Sequence, residues 1–164
     1  MSQDGGTQGR RIYIAVTSSG GSTPDEAADD LNESEFEALD WVEIKHAAPV
    51  PSFDVEQAME QFEPVTGLAV PFKGVESMTG RELSFIRRKA DAGQIAVQAA
   101  GDTDLYYPFK LVYRDAATGG NNTVKYSRAL VRKAMEGQSE AGGAAIITTQ
   151  LAFVQYPIKT DDAA

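Results

Sequence analysis

Three stretches in the second half of the chain constrain its fold more than any others. Residues 105–114 (LYYPFKLVYR), 123–135 (TVKYSRALVRKAM) and 144–156 (AAIITTQLAFVQY) are rich in β-branched and aromatic residues. Between them lie 115–122 (DAATGGNN) and 136–143 (EGQSEAGG), which are turn chemistry throughout. In the first stretch Tyr107, Phe109, Leu111 and Tyr113 share one side, and Pro108 marks an edge or a bulge. In the third, Ile147, Leu151 and Phe153 are in phase, and Pro157 ends the run. In the second, the apolar parity changes from Val124 and Tyr126 to Val131 and Met135, as a bulge near 127–129 would make it do.

Helix signals concentrate in 80–101 (GRELSFIRRKADAGQIAVQAAG). Asp91 is an N-cap with Gln94 at capping-box spacing. Ala92, Ile95, Ala96 and Ala99 fall at i, i+3, i+4 and i+7, which predicts a small apolar face packed on a sheet. Gly101 is placed to end the helix in the left-handed region. Residues 81–87 alternate as a strand does, with a helix through 83–92 as the other reading.

Upstream, 11–17 (RIYIAVT) and 40–46 (DWVEIKH) read as strands, with Trp41 a packed residue in preference to a subunit contact. Residues 18–38 read as an extended acidic loop with one short helix at most, for which Thr23–Glu26 offers a start signal. Residues 52–62 (SFDVEQAMEQF) fit either period. As a strand they put Asp54, Glu56 and Glu60 on one face; as a helix they align Val55, Met59 and Phe62. Residues 65–72 continue as a second extended segment.

At 164 residues one domain spanning 1–164 is expected, with 1–10 and 159–164 as flexible tails. The chain has no cysteine, one histidine (His46, read as structural or solvated) and no apolar run of membrane-spanning length. It lacks a phosphate loop, a nucleophile elbow and His/Cys metal spacing. TGGNN (118–122) sits between two strands and reads as a hairpin turn; Asp102 and Asp104 are only a fragment of a calcium loop. No cofactor, no metal and no enzyme activity are expected. The net charge of −9 opposes ordinary nucleic-acid binding. It is unevenly placed: residues 1–80 hold four Lys/Arg against fifteen Asp/Glu, and 81–164 hold eleven against nine. That asymmetry fits a solvated acidic half, or contact between the acidic part of one copy and the basic part of another.

The order of these elements resembles the phage tail tube (major tail) protein family of long-tailed, non-contractile (siphovirus-type) phages. The resemblance rests on DAGQ opening a short helix, on AAGDTDLYYPFKLVYRD and the two long strands after it, and on SEFEALDWVEIKHA, FEPVTG and PFKG upstream. It covers about 11–158; the acidic insertion at 24–35 and the loop at 115–122 follow no pattern of the family. It implies a mainly β fold with one short α-helix, a tail-tube-type β-sandwich or partly rolled barrel. Each copy would contribute strands to the inner β-barrel of a hexameric ring, and stacked rings would form the tube through which genomic DNA is ejected. The implied partners are other copies of the chain, a tape-measure protein in the lumen, tail-tip and tail-terminator proteins, and double-stranded DNA passing without specific binding. The implied location is the virion tail, after assembly in the host cytoplasm. Asp54, Glu56 and Glu60 are then candidates for an acidic lumen wall that repels DNA. The helix would lie outside that wall. Two other readings stay open: the inner tube of a contractile tail or secretion-type injection apparatus, and a monomeric β-barrel ligand-binding module with a pocket of Tyr106, Tyr107 and Phe109.

Overall fold

A computed structural model describes residues 10–16, 30–137, 143 and 145–161. The predicted helix start at Thr23–Glu26 and the segment 1–9 lie outside these residues. In chain order the elements are β1 (Arg11–Val16), α1 (Glu33–Glu37), β2 (Asp40–Glu43), β3 (Glu56–Phe62), β4 (Val70–Ser77), β5 (Arg81–Ile86), α2 (Ala92–Gly101), β6 (Tyr106–Val112), β7 (Thr123–Val131), β8 (Met135–Glu136), β9 (Ile146–Phe153) and β10 (Ile158–Asp161). The mainly β expectation holds, with α1 as a second, five-residue helix.

An antiparallel sheet runs β2-β1-β6-β7-β9-β5, with β10 on β7 and β8 on β9. It rolls towards closure. Beyond β2 the chain crosses to the far edge, where Ala47 bridges Phe85, the Ala48 N–H donates to the Ser84 carbonyl and the Ile86 N–H donates to that of His46. The inner face holds the main core, including Ile12, Ile14, Phe53, Leu83, Phe85, Tyr107, Phe109, Leu111 and Leu151. The predicted alternation of β6 and β9 is therefore met at Tyr107, Phe109, Leu111, Ile147, Leu151 and Phe153, all buried. Pro108 lies just past the stretch paired with β1, whose register ends at Ile14–Phe109, so its missing N–H interrupts no ladder on that side.

Strand β7 has no bulge: its register with β6 is unbroken from Tyr106–Leu130 to Val112–Val124. The change of parity has another cause. Val124 and Tyr126 belong to a second cluster on the other face, whereas Ala129 and Val131 face the main core. Segment 31–41 covers that second face. Asn32 and Glu35 form a full capping box at the start of α1, which lays Phe36 on Tyr126 with ring centroids 5.2 Å apart. Trp41 tilts against Tyr126, and its Nε1–H donates to the Phe36 carbonyl. Gln155 pins the segment by bonding both the N–H and the carbonyl of Leu31, and it also accepts from the buried Arg128, whose Nη2 lies 2.6 Å from Asp30 Oδ1. The expected tail at 159–164 is ordered in its first part: Ile158–Asp161 pairs with β7, returning polar backbone to a ladder. Residues 162–164 are outside the described set.

Residues 81–86 form a strand, which settles the choice there, and α2 packs beside it. Asp91 Oδ2 accepts the Gln94 N–H at 3.1 Å, as a cap should. The Gln94 side chain does not complete the box. It is buried, accepts the Arg88 N–H and donates to the carbonyls of Lys45 and Ile86, tying α2 to the ends of β2 and β5. The packing face is rotated from the expected one. Gly93, Gln94, Ala96, Val97 and Ala100 are buried. Of the expected set only Ala96 is buried; Ala99 is half-buried, Ala92 is exposed and Ile95 is 41% exposed. Gly101 is the last helical residue and has no positive φ. Its need is space, since a Cβ there would sit 3.0 Å from the Arg132 carbonyl oxygen.

Candidate assembly interface

Strands β3 and β4 form a separate two-stranded ribbon. The strand reading of 52–62 is thus correct, but only from Glu56 onward; Phe53 is buried in the core and anchors the root. Along the ribbon every β3 side chain is exposed, and in β4 only Gly74 is not fully so. Large apolar groups are among them: Met59, Phe62, Val70, Phe72 and Val75 on the strands, and Val65 and Leu68 at the tip. Phe62 is 63% exposed, Val75 79% and Leu68 90%. A two-stranded ribbon is marginal in water unless something packs on it. Its apolar side chains would be costly to leave wet, and patches of this kind mark interaction surfaces.

The root is held by polar contacts. Arg81 donates from Nη2 to the Asp54 carbonyl at 2.7 Å and from Nη1 to Glu56 Oε1 at 3.1 Å. Lys125 Nζ lies 2.7 Å from Asp54 Oδ1. The Lys125 ammonium, chiefly through this hydrogen bond, holds the Asp54 carboxyl below the usual carboxylate range. Burial pushes Lys125 down, but Asp54 and Tyr113 outweigh it and the net shift is upward. Tyr156 donates its hydroxyl to Glu76, which raises the phenol.

These contacts divide the expected acidic row. Asp54 and Glu56 are each paired with a cation at the root. The register shifts between Gln57 and Met59, so Glu56 opposes Ser77 and Glu60 opposes Phe72. One residue of β3, Ala58, then lies opposite two of β4, Gly74 and Val75, so the extra residue and the break in alternation belong to β4. Strand β3 keeps its alternation, so Glu56 and Glu60, four residues apart on it, share a face, as the strand reading expects. A bulge of one residue is invisible to a period-two reading, although the small pair Ala58 and Gly74 marks it: a Cβ on Gly74 would lie 3.2 Å from that of Ala58.

The aromatic-pocket expectation is not met. Tyr107 and Phe109 are in the main core and only Tyr106 is partly exposed. Trp41 packs within the subunit. In the 115–122 loop, Gly119 takes φ +80° in a turn that Gly120 N–H closes onto the Ala117 carbonyl, and Asp115 accepts from Thr123, so this is a hairpin connection. Among the described residues no group of three or more His, Asp or Glu side chains is arranged to hold a metal, and no helix is long and apolar enough to cross a membrane.

No family model and no curated protein sequence matches the chain. Solved structures do. The SPP1 tail tube, in a hybrid solid-state NMR and cryo-EM structure, superposes with a TM-score of 0.58 at 14% identity over 96% of this chain and 79% of that one. A chain of the anti-feeding prophage baseplate, six-fold symmetrised by cryo-EM, superposes with a TM-score of 0.61 at 11% identity over 98% of both. The chain has the fold of these proteins.

Proposed function

We propose that the chain is a structural subunit of a phage tail tube, assembling with copies of itself into stacked hexameric rings whose lumen passes genomic DNA. The observation that carries this reading is the β3–β4 ribbon, whose apolar side chains find no cover among the described residues. A solvated ribbon of this kind is unfavourable in a monomer and is accounted for if neighbours cover it. The shared fold with the SPP1 tail tube, and the six-fold arrangement of the anti-feeding prophage baseplate, support the ring reading. A tape-measure protein in the lumen, tail-tip and tail-terminator proteins at the ends, and location in the virion tail follow from it. The lumen wall takes Glu56 and Glu60, which share a face of each ribbon, while Asp54 is paired with Lys125 at the root.

A second reading, the inner tube of a contractile or secretion-type apparatus, is favoured by the likeness to the anti-feeding prophage baseplate chain. Recruitment of a sheath protein by purified tubes separates the two. Negative-stain microscopy of the purified protein tests the class. Rings or tubes are expected, and a monodisperse monomer at high concentration would overturn both tube readings.

A further inference from the structure

Two concavities border the root of the ribbon. The smaller, about 140 Å³, is bounded by Val55, Glu76, Phe153 and Tyr156. The larger, about 390 Å³, lies between the exit of α2 and the ends of β7 and β9, lined by Gly101, Leu130, Arg132, Lys133, Leu151 and Ala152. We propose that this larger cleft receives the tip of the β3–β4 ribbon from a second copy of the chain. The proposal rests on the tube reading and adds the place where one subunit holds the next.

Charge selects the cleft. The tip carries Glu63 between the exposed apolar groups Phe62 and Val65, with Leu68 beyond. Arg132 and Lys133 are exposed at the rim of the larger cleft, and neither has an ion pair among the described residues. Asp104, also on the rim, offsets one of these two charges. The smaller cleft presents Glu76 instead, which repels Glu63. Size agrees as well. A dry cavity of ~150 Å³ accepts a benzene ring, so the larger cleft has room for the Val65 and Leu68 side chains, whereas the smaller one does not hold both.

Reach identifies the occupant. Seven residues of extended strand separate root from tip by ~23 Å. The cleft lies at the root, beside Gly80, so a chain's own tip does not reach it. The contact is then head-to-tail, with different surfaces on the two partners, and such contacts propagate into rings or filaments and do not stop at a dimer.

The chain has no cysteine, so introduced thiols are the only ones. Val65→Cys and Leu130→Cys, both exposed positions, are combined in one chain, allowed to assemble and treated with a short bifunctional thiol reagent. A covalent ladder of trimers and higher species is expected from the double variant, and nothing beyond dimers from either single variant. Assemblies visible by microscopy that give no ladder overturn the docking while leaving the tube reading in place. So does a ladder from Val65→Cys with Tyr156→Cys, which would place the tip in the smaller cleft. A wild-type chain that sediments as a monomer at every concentration overturns the tube reading, and the docking with it. In parallel, Arg132→Glu with Lys133→Glu should raise the concentration needed for assembly about tenfold, and adding Glu63→Lys should lower it again; no rise would also overturn the docking.

Discussion

The carbonyl oxygen of Glu43 lies 2.2 Å from the position a Cβ on Gly93 would occupy. The first turn of α2 thus rests on the backbone at the end of β2 with no room for a side chain. Helix propensity alone predicts that Gly93→Ala stabilises by up to ~1 kcal/mol. The clash is with backbone, which a rotamer change does not relieve, and overpacking costs ~1–3 kcal/mol or more. Net destabilisation is expected. Urea denaturation of Gly93→Ala beside Gln98→Ala, an exposed position of the same helix, checks the sign; a more stable Gly93→Ala would refute the close approach.

The rotated face of α2 gives a second, sharper test. Ile95→Asp changes a half-exposed side chain and should cost no more than ~1 kcal/mol. Val97→Asp buries a charge in the main core and should leave little folded protein. Circular dichroism melts of the two variants order the faces directly, and equal losses would restore the apolar face read from spacing.

The Asp54–Lys125 pair predicts a pH dependence. Folding lowers the Asp54 pKa, so the pair stabilises the subunit above the unfolded value of ~3.9 and its contribution disappears as pH falls through the folded value. The Asp54 side chain is well exposed, which limits the contribution to ~1 kcal/mol or less. Asp54→Asn should therefore lower the melting temperature at pH 7 and have no measurable effect near pH 2.5. Loss of the same size at both pH values would assign Asp54 a role independent of its charge.

Much of the body was legible because its segments obey a single period. In β6 and β9 one side meets the core, so alternation names Tyr107, Leu111 and Leu151 directly. Strand β7 misled because it is covered on both faces by different layers, so Tyr126 and Ala129 are both buried without any bulge. The helix was found from its cap, but its face was not. Hydrophobic spacing has no term for Gly93, buried by close approach, or for Gln94, buried because three backbone groups satisfy it. Asn32 and Glu35 spell a capping box that marks the start of α1, a signal the reading of 18–38 as a loop passes over. The candidate interface was half legible. Its extended backbone could be read, but alternation assumes that an apolar side chain faces its own subunit's core, and on the ribbon none does.

That property sets the last prediction. Exposed apolar groups contribute little to the stability of the subunit that carries them, whereas their burial between copies drives association at ~25 cal/mol per Å². Phe62→Ser, Val65→Ser and Leu68→Ser together should leave the melting temperature of the dissociated subunit within a few degrees of wild type, since none of the three lies in either core cluster. The same variant should fail to form rings or tubes at concentrations where wild type does. Apolar association resists added salt, while acid-to-base contacts weaken as the screening length falls from ~10 Å at 0.1 M to ~3 Å at 1 M. Sedimentation across that range separates the two contributions: wild-type assembly should weaken with salt without vanishing. Complete loss at 1 M would assign cohesion to charge alone, and an assembling triple-serine variant would remove the ribbon from the interface.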